Sequence, residues 1–429
     1  MATMTDPPAP AFRLSQLIYD TRYRSITIQV IAFILIMAGL FWLVNNAIQN
    51  LAVLGKDFNF AFLGSRSGYD INQRLIEYSN NSTHGRAAIV GILNTLLVAF
   101  LGCMTATILG VFAGVLRLSK NWIVGRLMTV YVEGFRNIPL LLWIIVIFAV
   151  MTESMPQPSA FRGDDPAASM VLWDSVAVTN RGVYIPNVVF TRSLGGNEMS
   201  EAADGVAAAV IPSVSFGDWA LFLAALVGGI VAAGAMGRWA NARQEATGIR
   251  PPGVLWMRAG AILLPAAAVL IALGATLDYP ELRGFNFTGG IQLRNSLIAL
   301  WFALSLYTGA FIAEIVRAGI MSVSRGQTEA SFALGMRPSW TMNLVILPQA
   351  LRVIIPPLIS QYLNLTKNSS LAIAVGYMDA RSTLGGITIN QTGRELEGML
   401  LLGLFYLVLS LLISAVMNVY NTSVKLKER

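Results

Sequence analysis

Apolar stretches of about 20 residues recur along the chain, with shorter polar segments between them. A helix rising 1.5 Å per residue needs about 20 residues to cross a hydrocarbon layer of roughly 30 Å, so each stretch predicts one membrane-spanning helix. Eight spans are expected, at 26–48, 87–116, 127–151, 219–236, 255–277, 291–320, from about 350 onward, and 399–420. Pro356 and Pro357 remove two backbone donors from the seventh and predict a break or kink there. In the second, Gly110 and Gly114 sit four apart, a small-residue face for close helix packing in lipid.

The segments between the spans differ in kind. Residues 1–25 form a tail with Pro7, Pro8, Pro10, Arg13, Arg22 and Arg24. Residues 49–86 are a polar and aromatic loop, and residues 278–290 a short one. Residues 152–216 hold Pro156, Pro158, Pro166, Gly195 and Gly196 together with the β-prone run Val183 to Phe190, which predicts a small folded subdomain. Basic residues gather in the remaining loops: Arg117, Lys120 and Arg126; Arg238, Arg243 and Arg250; and Lys425, Lys427 and Arg429 in the tail 422–429. The positive-inside rule puts those loops and both termini in the cytoplasm, and residues 49–86, 152–216 and 278–290 outside.

One stretch interrupts the apolar pattern between the sixth and seventh spans. In Glu329 to Pro348, EASFALGMRPSWTMNLVILP, a short helical run is expected to end at Gly335 and Pro338. A second amphipathic run is then expected to end at Leu347 and Pro348, giving a helix–break–helix hairpin.

Composition narrows the chemistry. The 429 residues are 55% hydrophobic and 12% charged, against about 25% charged in soluble domains. The net charge of +7 lies in loops beside spans, which fits membrane topology better than a nucleic-acid partner. Cys103 and His84 are the only residues of their types, so neither an internal disulfide nor a His/Cys metal cluster is expected. The first apolar run follows about 25 mostly polar residues and is too long for a signal h-region, so no secretory signal is expected. The sequence contains no Gly-x4-Gly-Lys-(Ser/Thr) phosphate cradle, and ATP hydrolysis by that route is excluded.

Ionisable residues at membrane depth carry the functional reading. Glu133 and Arg136 lie three apart on one helix face and are able to pair with each other. Glu314 lies about 9 Å from the cytoplasmic end of its span. For these three, an ion pair between helices and a place on a substrate path both remain open. Lys367 sits in the polar run Asn364, Thr366, Lys367, Asn368, Ser369 and Ser370, beyond the proline pair. Broken helices near the midplane expose backbone groups to polar ligands, which favours a substrate-path role there.

The hairpin spacing of Glu329, Ala330, Gly335, Leu347 and Pro348 resembles the cytoplasmic loop of bacterial ABC importer permeases, with Ser331 and Val345 in place of Ala and Ile. EGFRNIPLLL (from Glu133), the stretch holding Tyr307, Thr308, Gly309, Ala313, Glu314 and Arg317, and LNLTKNSSLA (from Leu363) are similar to the polar amino-acid uptake family. The first span, the insert and the extra span pair look like the larger permease subunit of general L-amino-acid importers. The resemblance implies an all-α polytopic fold, a type I ABC importer transmembrane domain with a five-helix core. Core spans one and two would occupy 87–151, two inserted spans 217–277, and core spans three to five 291–421, with the coupling loop at 321–348.

By the same resemblance, the chain would move polar L-amino acids inward by alternating access, in the bacterial inner membrane. It would hold no catalytic residue, cofactor or metal; ATP and Mg would bind partner subunits. Glu329, Ala330, Ser331, Gly335, Arg337, Leu347 and Pro348 would meet an ATPase dimer. Glu133, Arg136, Tyr307, Thr308, Glu314, Asn364, Lys367, Asn368 and Ser369 would line the pathway or gate. A homologous second permease, a periplasmic amino-acid-binding protein and membrane lipid are the other implied partners. A secondary amino-acid carrier working without ATP is the competing reading. An intramembrane enzyme is disfavoured, since the spans are nearly free of Asp and the one His lies outside them.

Overall fold

A computed structural model describes residues 20–53, 55, 58–163, 165–199 and 210–424. The expectations for Pro7, Pro8, Pro10 and Arg13, and for Lys425, Lys427 and Arg429, fall outside the described residues. In chain order the main helices are α1 (Thr21–Val53), α2 (His84–Leu116), α3 (Trp122–Asn137), α4 (Leu140–Glu153), α5 (Phe216–Thr247), α6 (Val254–Ala272), α7 (Asn295–Met321), α8 (Arg325–Ala333), α9 (Leu347–Asn368) and α10 (Glu395–Val424). Among the described residues, α1, α2, α5, α6, α7, α9 with its flanking turns, and α10 are each long and apolar enough to cross a membrane. Local chemistry sets their starts. Thr83 accepts from the Arg86 amide at 3.2 Å ahead of α2, and Ser215 and Asp218 form a capping box on α5.

The third expected span is not one rod. α3 and α4 meet at a 108° bend over Ile138 and Pro139. Ile138 is extended (φ −107°, ψ 135°), as the proline ring requires of the residue before it. Val132 of α3 is buried with Ala113 of α2 and Ala313 of α7, while the Met151 carbonyl of α4 accepts from Asn295 at the start of α7. The pair therefore carries the chain from one end of α7 to the other. Counted as one crossing with a corner in it, the pair brings the seven long apolar helices among the described residues to eight.

The insert folds as a β subdomain, but four of the seven strands among the described residues come from elsewhere. β1 (Ala177–Thr179), β2 (Gly182–Ile185) and β7 (Ile291–Leu293) form an antiparallel sheet, with Val183 opposite Leu293. β3 (Asn187–Phe190) pairs with β4 (Ala275–Asp278), and β5 (Glu281–Arg283) with β6 (Asn286–Thr288). This corrects two boundaries. The fifth span stops at Ala272, where Gly274 turns with φ +64°, and the sixth starts at Asn295. The apolar residues just outside those limits are drawn into ladders that satisfy their backbone groups.

α2 and α7 are the centre of the bundle. A Cβ on Gly110 would lie 2.5 Å from that of Ile312, and one on Gly114 2.6 Å from the Ala313 carbonyl oxygen, so these glycines let the two backbones touch. A chain of polar contacts joins the same pair at mid-depth: Trp301 Nε1 donates to Thr105 Oγ1 at 3.1 Å, and Thr105 shares a hydrogen bond with Ser305. α1 and the α5–α6 hairpin lie outside this centre. Phe33, Leu35, Phe41 and Trp42 of α1 are all exposed, as suits a lipid-facing helix.

α9 also differs from expectation. It runs without interruption through Pro356 and Pro357 to Asn368. Both prolines are exposed, on a face of the helix turned away from this chain's core.

Candidate functional site

Three groups of residues stand out, at different levels of the bundle. The first is the elbow that joins α7 to α9. α8 ends in a Schellman motif: the Met336 amide donates to the Ser331 carbonyl at 3.1 Å, and the Gly335 amide to the Phe332 carbonyl at 2.9 Å. Gly335 holds φ +72°, a value that glycine adopts without strain. Arg337 is then extended and Pro338 opens the next helical turn.

The second arm does not end at Leu347 and Pro348 as expected. A π-helical turn, Met342–Ile346, merges it into α9, with Pro348 in the first turn of α9. The interruption of the usual hydrogen-bond ladder there accommodates a residue that lacks a donor. Glu329, Ala330, Gly335, Arg337 and Leu347 are exposed and Pro348 is half-buried. Ser331 is buried, its hydroxyl donating to the Gln327 carbonyl at 2.7 Å. Phe332, Leu334, Trp340 and Leu344 add exposed apolar surface on the same elbow, which the motif alone did not single out.

The second group is an ion network just inside the elbow. Glu314 of α7 accepts from Arg317 Nη2 at 2.7 Å and from Arg117 Nη1, and Arg136 Nη1 lies 3.9 Å away. Arg117 Nη2 also reaches Glu133 Oε1 at 3.3 Å. Glu133, Arg136 and Glu314 are thus brought together, but the first two do not simply pair with one another. Glu133 goes to Arg117, and Arg136 turns toward Glu314 and over the Phe311 ring, 5.2 Å from its centre. Arg117 caps the C-terminal end of α2 and Arg136 lies in the last turn of α3, where a cation complements the helix dipole. Sequence reading left Arg117 among the loop cations. Its signal was position, as the first charge after the apolar run of α2. Higher on α7, Tyr307 is half-buried 5.1 Å from Phe311 and Thr308 is buried.

The third group lies in the other half of the bundle. Lys367 is twenty residues along α9 from Leu347, roughly 30 Å at the helical rise, whereas Glu314 is about 10 Å from the end of α7. Lys367 is exposed on this chain, at the end of an outward-facing stripe. Val353, Pro357, Ser360, Asn364 and Lys367 alternate by four and three residues, and all are exposed. Asn368 is half-buried, and the buried Ser369 donates to the Thr366 carbonyl at 2.7 Å, an end-of-helix contact.

The family described as binding-protein-dependent transport system inner membrane component matches residues 106–426. The chain is 58% identical over 441 residues to the glutamate/glutamine/aspartate/asparagine transport system permease protein BztB of Rhodobacter capsulatus, covering all of both chains. It is 42% identical over 413 residues to the general L-amino acid transport system permease protein AapQ of Rhizobium johnstonii, covering 96% of this chain and 94% of that one. The putative amino-acid ABC transporter permease protein YhdX of Escherichia coli is 41% identical over 406 residues, 94% of each chain.

Proposed function

The chain belongs to the binding-protein-dependent transport system inner membrane components, and from that premise we infer how its three groups of residues serve transport. It is a permease subunit of an amino-acid ABC importer in the inner membrane, a transport subunit rather than an enzyme. Its substrates are polar L-amino acids of the glutamate, glutamine, aspartate and asparagine kind, the set named for the relative at 58% identity. The elbow end faces the cytoplasm and the β subdomain faces the periplasm, where an amino-acid-binding protein delivers its cargo.

The observation that carries this reading is the exposed elbow. A short helix pinned by a glycine motif, with Glu329 and Arg337 beside exposed Phe332 and Trp340, offers both charge and apolar surface to a gripping partner. An ATPase dimer, holding ATP and Mg, closes on two such elbows and drives the spans between inward- and outward-open forms. The ion network ties α2, α3 and α7 just above that grip and acts as the inner gate.

The exposed stripe on α9 supports a homologous second permease packed beside it. A lysine facing lipid at membrane depth costs roughly 2.5–3.5 kcal/mol on insertion scales. Ser360, Asn364 and Lys367 are more economically housed against a homologous subunit, where they border the substrate path.

Two experiments test these assignments. A cysteine at Ser339, in a Cys103→Ser background, should react with a membrane-impermeant maleimide in inside-out vesicles only, and uptake by the reconstituted complex should require ATP. Labelling from the outer face, or uptake without ATP, would overturn the importer mechanism in favour of a secondary carrier. For the stripe, Asn364→Cys should cross-link to the second permease; a lipid-attached quencher reaching a probe at that position instead would place it in the bilayer.

A further inference from the structure

The turn joining α5 to α6 lies at the elbow end of the molecule. α5 leaves the β subdomain just after Ser213, which bridges Phe190 of β3, and α6 runs back into β4. On one flank of this hairpin an open groove of about 620 Å³ follows α6 from Trp256 past Gly260 and Leu264 to Pro265, with Met236 of α5 on its other side. No charged residue lines it. Trp256 to Pro265 spans about 14 Å at the helical rise, close to one leaflet of a hydrocarbon layer roughly 30 Å thick.

The end of the groove nearest the turn has a different character. Met236, Trp239 and Arg243 follow one another on α5 at steps of three and four, so they share one face. Arg243 lies over the Trp239 ring, 5.6 Å from its centre. Trp239 and Trp256 are 47% and 79% exposed at this end, as suits tryptophans at a membrane–water boundary. Arg243 is about 10 Å beyond Met236 along the helix, which sets its guanidinium past the apolar groove. Arg238, Arg250 and Arg258 lie at the same end of the hairpin, and Glu245 is the one carboxylate between residues 237 and 260. No ion pair joins Glu245 to any of these arginines among the described residues.

The positive-inside rule accounts for basic residues in a cytoplasmic loop, but it aligns no stripe and builds no groove. An apolar helix of a partner would fill the groove and leave Arg243 without a counter-charge. A free anion would meet the arginine and leave the groove unused. A phosphate ester carrying acyl chains meets both, and the excess of guanidinium groups favours one of net negative charge over a zwitterionic one. We propose that the α5–α6 hairpin binds an anionic phospholipid of the cytoplasmic leaflet, one acyl chain along the Trp256–Pro265 groove and the phosphate on Arg243. The proposal goes beyond transport and takes from the permease reading only the orientation of the elbow end.

The assembled importer in phosphatidylcholine nanodiscs, doped with a minor fraction of lipid bearing a photoactivatable diazirine on its acyl chain, tests this. Diazirine phosphatidylglycerol should cross-link to residues 256–265 at least threefold more than diazirine phosphatidylcholine at the same mole fraction, as mapped by peptide mass spectrometry. Arg243→Gln, at an exposed position, should bring the two lipids level, while added inorganic phosphate should leave the wild-type difference in place. Equal cross-linking by both lipids in the wild type would show ordinary bilayer contact, and none by either would show a protein occupant. An unchanged preference in Arg243→Gln would place the phosphate elsewhere, and loss of the preference on adding phosphate would assign Arg243 to free anions. Each of these four results overturns the proposal. The cross-linking needs neither ATP nor transport, so an importer active in uptake but without lipid preference would sink the lipid site alone.

Discussion

Replacing Gly335 with valine is expected to reduce amino-acid uptake severely while leaving the subunit in the membrane. Gly335 sits at φ +72° and a Cβ built there meets nothing within 4 Å. The substitution therefore introduces no clash, and its whole effect is conformational. A left-handed residue with a side chain costs roughly 1–2 kcal/mol, more for a β-branched one, and that is worth about a 5- to 30-fold loss of the bent elbow. α8 and α9 would then present their surfaces at the wrong angle to the ATPase proposed to grip them. Gly335→Asn is the control, since asparagine enters the left-handed region far more readily. Uptake should follow the backbone preference: near wild type for asparagine, low for valine. Equal uptake by the two variants and the wild type would remove the elbow from the mechanism.

Glu314→Leu is expected to have the largest effect on stability. One carboxylate holds Arg317 and Arg117 and attracts Arg136, and its removal leaves three guanidinium groups facing one another. Breaking a fully buried pair costs about 3–5 kcal/mol. The Glu314 side chain is 27% exposed, so that range is an upper bound here. A lower melting midpoint of the detergent-solubilised complex is the readout. Adding Arg117→Leu should recover part of the loss, because removing both partners is far less damaging than removing one. A wild-type melting midpoint combined with lost uptake would show that the network gates rather than braces.

The helices were legible because lipid imposes one length and one composition on every crossing. The close contact at Gly110 and the break at Gly335 were legible for a related reason: each depends on a missing side chain. The corner at Pro139 was not, although the proline lies in plain view, because the apolar run continues on both sides of it and hydropathy carries no direction. The strands at 275–293 were hidden by distance. β7 pairs with β2, about a hundred residues earlier, and neither segment announces its partner. The outward face of Lys367 was hidden for a third reason: depth along a helix is written in the sequence, but the direction in which a face points is not.

α7 has the sheet at one end and the elbow at the other. β7 leads into it through Arg294 alone, and only Ser322 to Ser324 separate it from α8. Its 27 residues make a strut about 40 Å long, packed at its middle against the glycines of α2. On the proposed reading, a partner docking above and a partner gripping below would work opposite ends of a single connecting rod, with the glycine contact as its bearing. News of an arriving cargo and the stroke that admits it would travel the same piece of machinery in opposite directions.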